Sequence, residues 1–185
     1  STVGARPTLA ATAISEICAR TLMSEGVEAL QAVRDNKITP ALENVVEANT
    51  LLSGIGFESG GLAVAHAVAN NLTMVPRVHD QYLHGEMVAL GTMIQLVMEG
   101  GKEAGKVARF FAKVGLPMCL AQVSMSVKDP EIDALLNQVL GNPSVRNMPF
   151  EVTREGLIKA LSDMDQLGTS VIEELGDGPY KALHQ

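Results

Sequence analysis

The sequence predicts an all-α helical bundle domain, and three observations carry that prediction. Aromatic residues make up only 3% of the chain and Trp is absent, while hydrophobic residues reach 46% and include nine Met. A core filled by Ala, Leu, Val, Ile and Met favours helices, because strands lean on β-branched and aromatic side chains. Apolar residues also recur at helical spacing from one end to the other, behind recognisable start signals. Finally, no stretch alternates with period two for long enough to form a strand.

The first helix is expected just after Pro7, where Leu9, Ala13, Ile14, Ile17 and Leu22 share a face, and it should stop near Gly26. Thr39-Pro40 places a capping hydroxyl before a proline at the first helical position, and Leu42, Val45, Val46 and Asn49 follow on one face. The run 87–98 reads as a buried central helix. Asp129-Pro130 repeats the cap-and-proline device ahead of Ile132, Leu135, Leu136, Val139 and Leu140, a stripe that ends at Gly141. Thr153 caps the last long helix, with Leu157, Ile158, Leu161 and Met164 inward. Gly- and Pro-rich connectors are expected at 54–61, 76–80, 100–101, 115–117 and 142–149, and the tail 176–185 reads as loosely held. One domain over 1–185 accommodates this pattern.

Charge narrows the partners. The net charge is −7, from 21 acidic and 14 basic side chains without a Lys/Arg cluster. The chain therefore lacks the electrostatic footprint of a nucleic-acid binder. The apolar run 87–98 is interrupted by Gly91, Thr92 and Gln95 and falls short of the ~20 residues that span a bilayer, so no membrane partner is expected. Cys18 and Cys119 sit among apolar neighbours without a CxxC pattern. They read as reduced core residues of a cytoplasmic protein, with a disulfide as the alternative. Ser1 to Thr8 shows neither the basic nor the apolar segment of a signal peptide, and the chain does not open on Met, as a processed or excised piece would not.

Four histidines offer chemistry. His66 stands among small apolar residues from Gly61 to Ala69, and is either a core histidine bonded to a carbonyl or a metal ligand. His84, in Leu83-His84-Gly85-Glu86, stands at the mouth of the apolar helix as either a turn residue or a ring aimed into a cleft. Glu86 is accounted for by the helix dipole. His79 reads as loop surface, and His184 lies in the tail, where it carries no expected role. Two histidines leave a catalytic metal short of the usual three protein ligands. Asp80, Glu86 and Glu58 are acidic candidates among which the spacing does not choose. The glycines at 54–61 lack the spacing of a phosphate loop and follow a helix, so they read as a close helix–helix connection.

The block from Thr39 through Asn44, Asn49 and Gly54 to Ala63 resembles the signature of the bacterial glycerol dehydrogenases, a branch of the metal-dependent alcohol dehydrogenases. The likeness continues in order through Ala65-His66-Ala67-Val68, Leu83-His84-Gly85-Glu86, Val114-Gly115-Leu116-Pro117 and Arg146-Asn147-Met148-Pro149, and covers nearly the whole chain. It implies the helical C-terminal, metal-binding domain of the dehydroquinate synthase-like fold, whose N-terminal partner domain holds NAD. It also implies a divalent metal, zinc ahead of iron, with His66 and His84 matching two of its ligands and an upstream aspartate as the third. No residue of this chain matches a catalytic acid or base or an NAD contact.

The family often carries further histidines near the positions of Ala69 and Arg146, and the segment 73–84 is about one residue longer than usual here. The implied reaction oxidises glycerol to dihydroxyacetone with hydride passing to NAD, in a homo-oligomer, and the isolated chain is expected to be inactive. Phe57 and Ser59 are named as substrate-lining residues on position alone. The alternatives are a non-enzymatic helical interaction module, or a dehydrogenase for another small diol or hydroxyketone.

Overall fold

The computed structural model describes residues 6–184. Among them every regular element is helical and no strand occurs, as composition and periodicity predict. The chain separates into two compact units, Ser1–Gly61 and Leu62–Gln185. No single helix among the described residues is long and apolar enough to cross a membrane. The signal-peptide reading of Ser1 to Thr8 falls largely on residues 1–5, outside the described residues.

The first unit is made of long helical segments packed through small side chains. Helix α1, Leu9–Arg34, begins at Thr8, whose hydroxyl accepts a hydrogen bond from the Ala11 amide at 3.1 Å. It runs through Gly26 rather than stopping there. A glycine inside a helix costs about 1 kcal/mol against alanine, and continuing the helix buries Ala29 and Ala32. Helix α2, Pro40–Glu47, has the predicted Thr39 cap, with the Leu42 amide donating to its hydroxyl at 3.3 Å. A π turn over Ala48–Leu52 then leads directly into α3, Ser53–Gly60. The expected Gly-rich connector at 54–61 is therefore mostly helix. A side chain at Gly56 would lie 2.8 Å from the Ser15 hydroxyl, so glycine is used here for close approach within a helix. The Cys18 thiol donates to the Ala48 carbonyl at 3.4 Å, and both cysteines are free.

The second unit surrounds one central helix. Its elements are α4 (Val64–Leu72), α5 (Pro76–His79), α6 (His84–Met98), α7 (Ala104–Val114), α8 (Glu131–Gly141), α9 (Arg154–Leu175) and α10 (Gly178–Leu183). Helix α6 is the expected buried helix, and it packs on α4, α7 and α9. Leu90, Met93 and Ile94 lie in its core, and Met118, Leu120, Leu157 and Met164 complete the apolar interior. Helix α7 ends at Gly115 in a left-handed conformation that suits glycine. Helix α9 starts at Thr153 as predicted, with Gly156 donating to its hydroxyl at 3.1 Å.

Four local expectations are revised in this unit. Helix α8 begins one residue later than the Asp129-Pro130 device implies, because the Asp129 carboxylate accepts from the Ser126 amide and from Arg77 instead of capping the helix. Ile158 is exposed; Leu157, Leu161 and Met164 are buried as expected, and Ala160 and Val171 join them on the buried face. The expected connector at 76–80 contains the short helix α5. The tail is ordered: α10 buries Tyr180, whose hydroxyl donates to the Gln122 carbonyl. The weak apolar pattern of the tail concealed this because one aromatic ring and two polar contacts hold it.

Candidate metal centre

The site begins with the crossing of α4 and α6. Gly91 makes the crossing possible, since a Cβ there would stand 2.0 Å from the Ala65 carbonyl oxygen. Ala67 and Ala69, just after His66 in the same helix, are fully buried. The Gln95 side-chain oxygen accepts from the Ala65 amide at 3.0 Å and ties the two helices one residue from His66. At the entry to α4, the Asn147 amide nitrogen donates to the Leu62 carbonyl at 2.6 Å and the Ser144 hydroxyl donates to that of Ala63 at 3.4 Å.

His84 is the first residue of α6, and different forces hold it. The Leu83 amide donates to a Glu86 carboxylate oxygen at 2.8 Å, which satisfies one of the otherwise orphaned donors of the helix start. The preceding segment is fastened by Arg77, which donates to the Ser124 carbonyl at 3.2 Å and pairs with Asp129 at 2.5 Å and Glu131 at 2.6 Å. Tyr82 adds a hydroxyl contact to Ser124 at 3.0 Å.

These supports bring the two candidate imidazoles together. The His66 and His84 rings lie 6.2 Å apart between centroids, tilted by 51°. His66 is half-buried and His84 exposed. Burial, followed by the nearby charge of His84, holds the His66 pKa below its ordinary value of 6.5. His66 is thus biased toward neutral imidazole, the form that offers a nitrogen lone pair to a metal.

The donor set suits a borderline divalent metal in type and approximate placement. Two imidazoles sharing a tetrahedral ion place their ring centroids about 5 Å apart, slightly closer than the 6.2 Å found here. Among the described residues, no group of three or more His, Cys, Asp or Glu side chains is gathered for a metal ion.

His79 is exposed and contacts its neighbour Asp80 at 3.0 Å, which leaves it on the surface as expected. Phe57 and Ser59 are exposed in α3 of the first unit, in a helix rather than the expected loop. Three contributors were not legible in sequence. Glu86 is buried and caps its helix, a role foreshadowed only by an acidic residue in the first turn. Asn147 gave no signal beyond its place in a matching motif. His184, unremarkable in the tail, lies 2.8 Å from Glu86.

Similarity to known proteins follows the same outline. No family model matches the chain. It is 43% identical over 175 residues to glycerol dehydrogenase of Escherichia coli O6:H1, an alignment covering 92% of this chain and 47% of the relative. It is 39% identical over 173 residues to glycolaldehyde reductase of Halobacterium salinarum, covering 91% of this chain and 47% of that protein. The crystal structure of glycerol dehydrogenase from Schizosaccharomyces pombe superposes with a TM-score of 0.82 at 34% identity, over 92% of this chain and 45% of the other. The chain spans about half the length of the curated relatives it matches. By sequence and by fold, it belongs to the glycerol dehydrogenase family, as the counterpart of the C-terminal part of those enzymes.

Proposed function

We propose that residues 1–185 form the metal-binding domain of an NAD-dependent dehydrogenase acting on glycerol or a closely related small polyol. His66 and His84 each give one ring nitrogen to a divalent ion, zinc in preference to iron. The observation that carries this reading is the convergence of two imidazoles from α4 and α6, 6.2 Å apart, in a chain that matches glycerol dehydrogenase along 92% of its length. When bound, such an ion supplies Lewis acidity that lowers the pKa of a substrate hydroxyl.

The chain's own contribution is placement. The α4–α6 crossing sets the distance between the rings, and partial burial keeps His66 able to donate. NAD is held outside these 185 residues on this reading, so they do not suffice for turnover. The exposed apolar residues of the first unit, including Ile17, Val27, Val33 and Val46, support a homo-oligomer that covers them.

The test is zinc retention after equilibrium dialysis, measured by elemental analysis. Wild-type chain should retain zinc, and His66→Ala and His84→Ala should each weaken binding by about tenfold or more. Wild-type binding no tighter than that of the double variant would overturn the metal site and favour a non-enzymatic helical module. The similarity to a glycolaldehyde reductase supports a second reading, in which the substrate is a small hydroxyaldehyde. Comparing glycerol with glycolaldehyde as substrates of the protein carrying its NAD-binding part decides between the two.

A further inference from the structure

Glu86 is the only charged residue buried among the described residues, at 8% exposure, and a buried carboxylate requires partners. One of its oxygens accepts from the Leu83 amide at 2.8 Å. The other lies 2.8 Å from Nε2 of His184, which arrives from the end of α10. The opposite ring nitrogen of His184, Nδ1, lies 2.9 Å from the Tyr180 carbonyl. Both ring nitrogens of His184 thus lie within hydrogen-bond distance of an oxygen. Tyr180 stacks on that ring at 4.1 Å, and Tyr82 approaches it at 5.8 Å. The tail helix is thereby joined to the turn that presents His84, through one carboxylate.

We propose that Glu86 and His184 form a positioning pair that sets the first turn of α6 and thereby aims the His84 ring at the metal. The inference rests on the metal-site reading above. Glu86 is two residues from His84 and its carboxylate fixes the Leu83 amide, so the backbone on both sides of His84 is held by one side chain. With no partner from α10, that carboxylate is free to turn toward solvent and release Leu83. Partners beyond the direct ligands tune metal affinity in this manner because they restrict the orientation of the ligand ring.

The experiment uses the 185-residue chain, with Co²⁺ alone as probe. Amide hydrogen exchange is followed by NMR without metal, and Co²⁺ binding is followed by its visible absorption. In His184→Ala, protection of the Leu83 amide should fall about tenfold, while Met93 and Ile94, deeper in the same helix, change by less than about twofold. The Co²⁺ dissociation constant should rise about tenfold, with altered band intensity. In His184→Gln, whose amide nitrogen can still donate to Glu86, both effects should be largely reversed. Unchanged Leu83 protection in His184→Ala overturns the proposal, as does unchanged Co²⁺ affinity in a chain that binds the ion. Should wild-type chain take up no Co²⁺, the metal-site reading fails, while Leu83 exchange still decides whether His184 holds the turn.

Discussion

His66 and His84 face each other, yet the regions that present them are built on opposite principles. His66 sits inside α4, and its place follows from a backbone crossing in which Gly91 admits the Ala65 carbonyl. His84 opens α6, and its place follows from side chains: Glu86 at the cap, Arg77 and Tyr82 behind it, and His184 from the tail. A packed crossing is stiff, because displacing it disturbs the whole core. A turn held by polar contacts can be altered one contact at a time. The pair thus joins a histidine set by the core to a histidine set by its polar surroundings.

The strongest way to break that contrast is Gly91→Ala. Alanine is favoured over glycine in a helix by about 1 kcal/mol, but the added carbon would stand 2.0 Å from a backbone oxygen that no rotamer change can move. Overpacking wins, and a net loss of about 2–3 kcal/mol is expected by urea denaturation, with His66 and His84 displaced together. A stability equal to wild type would show that the helices separate at little cost.

Asn147→Ala probes the entry to α4 more gently. It removes the donor to the Leu62 carbonyl, and a loss of about 1 kcal/mol is expected. The separation of the two rings should barely change, since the Gly91 crossing persists. NMR contacts between the two imidazoles test that directly.

The smallest expected effect is titration of His66. Its folded pKa lies below the ordinary 6.5, so the unfolded chain binds more protons in the window beneath that value. The associated stability is present above about pH 6.5 and is lost as pH falls through the folded pKa. Denaturation of the metal-free chain at about pH 7.5 and 5.5 should show a smaller acid loss in His66→Gln than in wild type. An identical acid loss in both would mean that His66 is as solvated as in the unfolded chain.

Much of the scaffold was legible. Thr39 and Thr153 announced their helices because a capping hydroxyl acts on amides only two or three residues away. The long helix α6 was legible because an apolar stretch of that length has few other ways to be buried. Gly26 and the glycines at 54–60 misled, since whether a glycine ends a helix or admits a neighbour depends on what approaches it. In the site, His66 and His84 were visible as isolated histidines and became ligand candidates through family resemblance. Their convergence was not visible, because 18 positions and a short helix separate them and no local rule fixes that path.

The sequence by itself determined an acidic, aromatic-poor helical chain, the starts of its capped helices, and the histidines worth watching. Each follows from interactions reaching a few residues along the chain or from bulk composition. Only the tertiary structure decided that Gly91 seats α4 on α6, that His66 and His84 face one another, and that His184 reaches back to Glu86. Those contacts join residues up to 98 positions apart, and only the folded arrangement of packed helices and polar contacts selects which distant groups meet.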